Sequence, residues 1–155
     1  MLEHTIRSAE LAKMIVNDLD KFLTSINVDS SVPLYIASEG LAFSSKGDAT
    51  LNLASYKGVL LAKLYEHFYG RLHGLHTYPP ITVKSVAGCA TKNKMKLKSP
   101  MISAFLNEPL NGVPFFDDML AGKFINKTNY INCVDDIVDS YWVLKTMLIK
   151  CGLIK

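Results

Sequence analysis

"PLYIASEGLAF", Pro33 to Phe43, is the stretch whose reading decides the fold. Leu34, Tyr35, Ile36 and Ala37 follow a proline with little polar alternation, which predicts a buried strand rather than a half-exposed one. "SSKGDAT" then reads as a turn or loop. "TLNLASYKGVLLAKLYEHFYG", Thr50 to Gly70, predicts a helix with Gly70 as its stop. Upstream, "RSAELAKMIVNDLDKFLTSI" (Arg7 to Ile26) predicts an amphipathic helix, because Leu11, Ile15, Leu19, Phe22 and Ile26 recur at spacings of three and four. Downstream, "PPITVKSV" reads as a short strand after a Pro-Pro break. "AGCATKNKMKLK" reads as a basic loop, and Ser99 with Pro100 opens a short helix that runs to about Leu106. Pro109, Gly112, Pro114 and Gly122 break the next segment. A last helix is expected from Asp135 or Asp136 to near Gly152. Strands alternating with helices point to an α/β fold with a parallel sheet portion.

The 155 residues favour one domain over 1–155, and a hydrophobic content of 49% excludes a disordered chain. No apolar run is long enough for a membrane span, and "MLEHTIRSAELAK" has no signal-peptide core, so no membrane partner and a cytoplasmic location are expected. Cys89, Cys133 and Cys151 are odd in number and widely spaced, which predicts free thiols. The net charge of +3 says little, but its distribution says more. Between Glu66 and Glu108 there is no Asp or Glu, while Arg71, Lys84, Lys92, Lys94, Lys96, Lys98, His67, His73 and His76 all fall there. A one-signed block of this kind suits a polyanion. As a lysine run alone it is also an ordinary solvated loop.

Carboxylates stand at the edges of the apolar segments. Glu39 closes the first strand, and an unpartnered carboxylate buried there would cost several kcal/mol or a large pKa shift. In "NCVDDIVDSYWVLK", Asp136 and Asp139 are three apart on the expected helix, hence on one face, with Asp135 alongside. Two like charges at that spacing favour a cation between them, and Mg²⁺ prefers such hard oxygen ligands. The plainer alternative is dipole complementation, with Asp135 as the helix cap. Strand ends in open α/β sheets are where ligand sites gather, so Glu39 with Asp136 and Asp139 forms a candidate metal site for phosphoryl transfer. His73 and His76 lack the spacing of a zinc knuckle with Cys89 and Cys133, and read as polar loop residues able to meet phosphate. Tyr141 and Trp142 read as core, the tyrosine needing a partner for its hydroxyl.

Three blocks then resemble RuvC-type Holliday junction resolvases, especially the phage-encoded branch. "SEGLAFSSKGDATLNLASYKGVLL" resembles the segment around that family's strand-end glutamate, through Glu39, Gly40, Phe43, Gly47 and Gly58. "PPITVKSVAGCATKNKM" resembles its P-x-x-V-K strand and basic loop, through Pro80, Val83, Lys84, Gly88, Lys92 and Lys94. "VDDIVDSYWVL" resembles its closing D-x-x-D helix, through Asp136 and Asp139. The blocks keep the family's order from Leu34 to about Met147. The resemblance implies an RNase H-like mixed sheet flanked by helices, a homodimer, and an Mg²⁺-dependent endonuclease (Mn²⁺ as a substitute) that acts on branched DNA in recombination. It implies Glu39, Asp136 and Asp139 as metal ligands, with Asp135 beside them. It assigns DNA contact to Lys46, Lys84, Lys92, Lys94, Lys96 and Lys98, and the unstacked bases of the junction to Phe43. For a phage-encoded member the location is the host cytoplasm. Family members open with an "xxxxDxGxxxxG" strand whose aspartate is a metal ligand, and this chain shows no such strand. The expectation is therefore a fold whose first strands are missing or supplied elsewhere, with the Glu39 strand as an apolar edge. The alternative reading is a non-catalytic DNA-binding module of the same fold.

A stripe of small residues, Ala54, Gly58 and Ala62, recurs every four positions in the second helix. It fits either a two-fold dimer interface or close packing within the chain.

Overall fold

The computed structural model describes residues 2–41, 48–89, 99–126, 129–130 and 132–155. Its elements, in chain order, are α1 (Leu2–Ser25), β1 (Leu34–Glu39), α2 (Asp48–Phe68), β2 (Leu72–Tyr78), α3 (Pro80–Val86), α4 (Ser99–Phe105), α5 (Pro114–Leu120), β3 (Ile125–Asn126), β4 (Asn129–Tyr130) and α6 (Asn132–Lys150). The chain is mixed α/β. β1 and β2 form a small two-stranded parallel sheet, and β3 and β4 form an antiparallel hairpin. Parallel pairing needs a crossover between the strands, and α2 provides it.

Two compact units divide the chain. One holds residues 1–36 and 41–76, the other residues 37–40 and 77–155.

In the first unit α1 packs on α2. Val16 and Leu23 of α1 meet Leu64 and Phe68 of α2, with Leu19, Leu34, Ile36, Leu60, Leu61 and Leu72 packed around them. The buried face of α1 is therefore Ser8, Ala12, Val16 and Leu23. This corrects the expected stripe, since Leu11, Ile15, Phe22 and Ile26 are exposed and only Leu19 joins the core. The apolar arc of α1 is wider than α2 covers, and the half that meets α2 is set one position along the helix. Asn27, two residues past the end of α1, has a φ of 55°, the left-handed conformation that asparagine tolerates; the Val28 amide then bonds back to Leu23 O at 3.0 Å.

In the second unit the core is Val83, Ala87, Cys89, Met101, Ile102, Phe105, Phe116, Met119, Val134, Val138, Trp142 and Val143. Phe105 stands edge-on to Phe116 at 5.5 Å and to Tyr141 at 4.9 Å. The indole of Trp142 donates to Met101 O at 3.2 Å, which satisfies its one polar atom in the core.

The segment "PITVKSV" corrects a second expectation: it is the helix α3, not a strand. Pro79 sits before it with an extended backbone, and Pro80 takes the first turn, where a missing N–H costs nothing. Gly88 ends it with φ 69°, and the Cys89 amide returns to Lys84 O at 2.7 Å. The segment thus carries both helix punctuation marks, and its β-branched residues yield to them. "HGLHTY" is likewise strand β2 and not a loop, and α6 begins at Asn132, earlier than expected.

Candidate functional site

The second unit contains the ends of three elements that bear the expected site residues. β1 ends at Glu39, and Ala37, two residues earlier, packs against the main core. Gly40 follows, and its amide donates to Tyr78 O at 2.6 Å. A Cβ on Gly40 would lie 3.2 Å from Tyr78 O and 3.3 Å from Pro79 Cα, so glycine lets the strand end press against the start of α3. Burial, then the neighbouring Cys151, push the Tyr78 hydroxyl above its ordinary pKa.

α3 and α6 pack together. Val83 is buried between them, and Lys84 follows it on the half-exposed side of α3. On α6, Val134, Val138 and Trp142 face the core. That phase decides how the three aspartates stand. Asp135 and Asp139 are half-buried at the margin of the core face, one turn apart, whereas Asp136 is exposed. Asp135 and Asp139, at i, i+4, thus stand beside the core, and Asp136, at i, i+3 from Asp139, stands toward solvent. Asp135 also lies in the first turn of α6, inside the helix and not at its cap, where its charge complements the dipole. Glu39, Lys84, Asp135 and Asp139 each have a polar partner.

The donor set is all carboxylate oxygen, the chemistry a hard divalent cation prefers. Among the described residues, however, no three His, Cys, Asp or Glu side chains come together as a metal site. Glu39 is not gathered with the α6 aspartates in that way. Phe43, Lys46, Lys92, Lys94, Lys96 and Lys98 lie outside the described residues. Cys89, Cys133 and Cys151 are free thiols, the first buried and the others exposed.

Sequence reading missed one polar cluster in this unit. Tyr141 and Lys145 on α6 both donate to Glu108 Oε2. The only signal for it was the need of a core tyrosine for a partner. The cluster floors a cavity of about 280 Å³ lined also by Leu110, Leu144 and Leu148. Burial pushes the Glu108 carboxyl up, but the hydrogen bonds from Lys145 and Tyr141 and the Lys145 charge outweigh it, and the net pKa lies below the ordinary value. Burial and the Glu108 hydrogen bond hold the Tyr141 hydroxyl far above its ordinary pKa. The glutamate is committed to two partners, so the arrangement is a tie between the segment after α4 and α6.

Among the described residues, no helix is long and apolar enough to cross a membrane. No family model, no curated protein and no solved structure matches the chain.

Proposed function

We propose that the chain is an RNase H-like endonuclease for branched DNA, of the kind that resolves Holliday junctions. Glu39, Asp135, Asp136 and Asp139 are its carboxylates, and Lys84 with the lysines of 92–98 meets the phosphates. One observation carries this reading. Ala37, two residues before Glu39, packs against the core cluster that holds Val83, next to Lys84, and Val134 and Val138 of the aspartate helix. Elements far apart in sequence thus bring a strand-end glutamate, a lysine helix and an aspartate helix to one packed unit. Mg²⁺, or Mn²⁺ in its place, supplies when bound the charge that activates water and stabilises the leaving oxygen. Asp135 and Asp139 are the residues suited to hold it, and Lys84 is suited to neutralise a neighbouring phosphate.

A second reading is a DNA-binding module without catalysis. It is favoured by the absence, among the described residues, of three gathered metal-binding side chains.

Cleavage of a labelled four-way junction separates the two. With Asp139→Asn the nuclease reading expects cleavage in Mg²⁺ to fall by at least 100-fold, while junction binding in EDTA persists. Undiminished cleavage by this variant defeats the assignment. Wild-type protein that binds junctions but never nicks them, in Mg²⁺ or Mn²⁺, selects the module instead.

A further inference from the structure

In the second unit α6 carries apolar residues on two sides. Val134, Val138, Trp142 and Thr146 are buried along one. The line opposite is Cys133, Ile137, Ser140, Leu144, Leu148 and Cys151, at spacings of three and four residues. Both thiols are exposed, Ile137 is 42% and Leu144 48% exposed, and Leu148 is half-buried. Cys151 continues the line, because its amide still bonds to Met147 O at 2.8 Å; it neighbours the Tyr78 hydroxyl yet stays exposed. A surface helix ordinarily turns charged and polar residues to water, and one that is apolar on both sides is a covered helix. The hydroxyl of the line, Ser140, donates to Asp136 O at 2.8 Å, so at mid-helix a small side chain with its donor already used faces outward.

We propose that this line of α6 is a self-association face, on which α6 of a second copy of the chain docks antiparallel with two-fold symmetry. Reversing the helix about the level of Trp142 sets Cys133 opposite Cys151 and Ser140 opposite Leu144, so the line is its own complement, as a two-fold contact requires. The charges agree. Asp136 and Lys150 are exposed, near opposite ends, and close to a whole number of turns apart, hence on one flank of the line. Reversal brings each within reach of the other on the second copy. It also brings Ile137 of the second copy beside Leu148, where the cavity lined by Leu110, Leu144, Leu148 and Ile154 receives it as a knob in a hole. A single line of side chains buries less than a standard interface, so the contact is of the weak class and fills only at high protein concentration. It is separate from the α2 stripe and does not depend on the nuclease reading.

The test is disulfide trapping of the full chain at about 200 μM, a concentration suited to a weak contact. Diamide is the oxidant: it takes two electrons and two protons from a thiol pair, and the two sulfurs join. Within one chain Cys133 and Cys151 stand about 27 Å apart along the helix, too far for a bond, so a Cys133–Cys151 disulfide links two copies. The expected product is a linked dimer on non-reducing gels, with that pairing in its peptide map. Cys133→Ser and Cys151→Ser are each expected to lose the dimer when alone, and to regain a single link when mixed. Leu144→Lys and Lys150→Glu, both at exposed positions, are expected to lower the yield of linked dimer by about 5-fold or more with the circular dichroism unchanged. Wild-type protein that forms no linked dimer overturns the proposal. So does a main product joined Cys133 to Cys133 or Cys151 to Cys151, a mixture of the two serine variants that stays unlinked, or linking by Leu144→Lys or Lys150→Glu at the wild-type yield.

Discussion

The Glu108 side chain is only 15% exposed and that of Lys145 24%, so their ion pair is far from a solvated surface contact. Water screens it weakly, and removing one partner leaves the other charge poorly solvated. Lys145→Met is expected to lower stability by about 2 kcal/mol in urea denaturation at pH 7. The pH dependence follows from the direction of the shift. The Glu108 pKa is depressed by folding, so its contribution is present above the ordinary carboxyl value of 4.5 and is lost as pH falls through the folded value. The gap between wild type and Lys145→Met should therefore close on the acid side of about pH 4.5. Tyr141 works in the opposite sense. Its raised pKa adds stability that is complete below the ordinary tyrosine value of 10.0 and declines only at more alkaline pH. A stability difference that stays constant from pH 7 to pH 3 would show that Glu108 is not held by this pair.

Among the elements, α1 shows why burial and hydrophobicity must be separated. Its sequence offers two apolar stripes that share Leu19. Val16 is 4% exposed and Leu64, in the same core cluster on α2, 5%, whereas Phe22 is 56% exposed. Loss of a buried leucine removes transfer free energy and leaves a cavity, so Leu64→Ala is expected to cost about 2–4 kcal/mol. Phe22→Ala exposes nothing further and is expected to cost under about 1 kcal/mol despite deleting a larger side chain. Equal losses in urea denaturation would mean that the Phe22 face is covered in solution. α3 makes the same point about backbone signals. Val83 and Val86 have strand-like side chains, but proline at the first turn and glycine after the last decide for helix.

At the scale of the whole molecule, α2 carries the stripe whose role the sequence left open between packing and self-association. Ala54, Gly58 and Ala62 are all exposed, and among the described residues a Cβ on Gly58 would meet nothing within 4 Å. Packing among the described residues therefore does not require the glycine. Tyr65 and Tyr69 continue the same side of the helix, 52% and 68% exposed, with rings edge-on at 5.2 Å. A second copy docked there two-fold would form a symmetric dimer, which the proposed function would use to place two sites on one four-way junction. Gly58→Leu separates this from a purely local role. It replaces a glycine inside a helix, so it should stabilise the isolated chain by up to about 1 kcal/mol. It should also shift a wild-type dimer to monomer in analytical ultracentrifugation. A monomeric wild type, or a Gly58→Leu dimer of unchanged strength, rules out this face as the interface.

By itself the sequence determined the long helices α1, α2 and α6, the strand before Glu39, and the free thiols. Each rests on a local cause: hydrophobic period, a glycine stop, or cysteine spacing. The candidate carboxylates were legible too, as charges at the margins of apolar runs. Tertiary packing alone decided which stripe of α1 is buried, and that Asp135 rather than Asp136 accompanies Asp139 at the core margin. It alone brought Tyr35 and His76 against Gly74, and tied Glu108 to α6. These outcomes depend on helix rotation and on partners remote in the chain, and neither is encoded in the spacing of neighbouring residues.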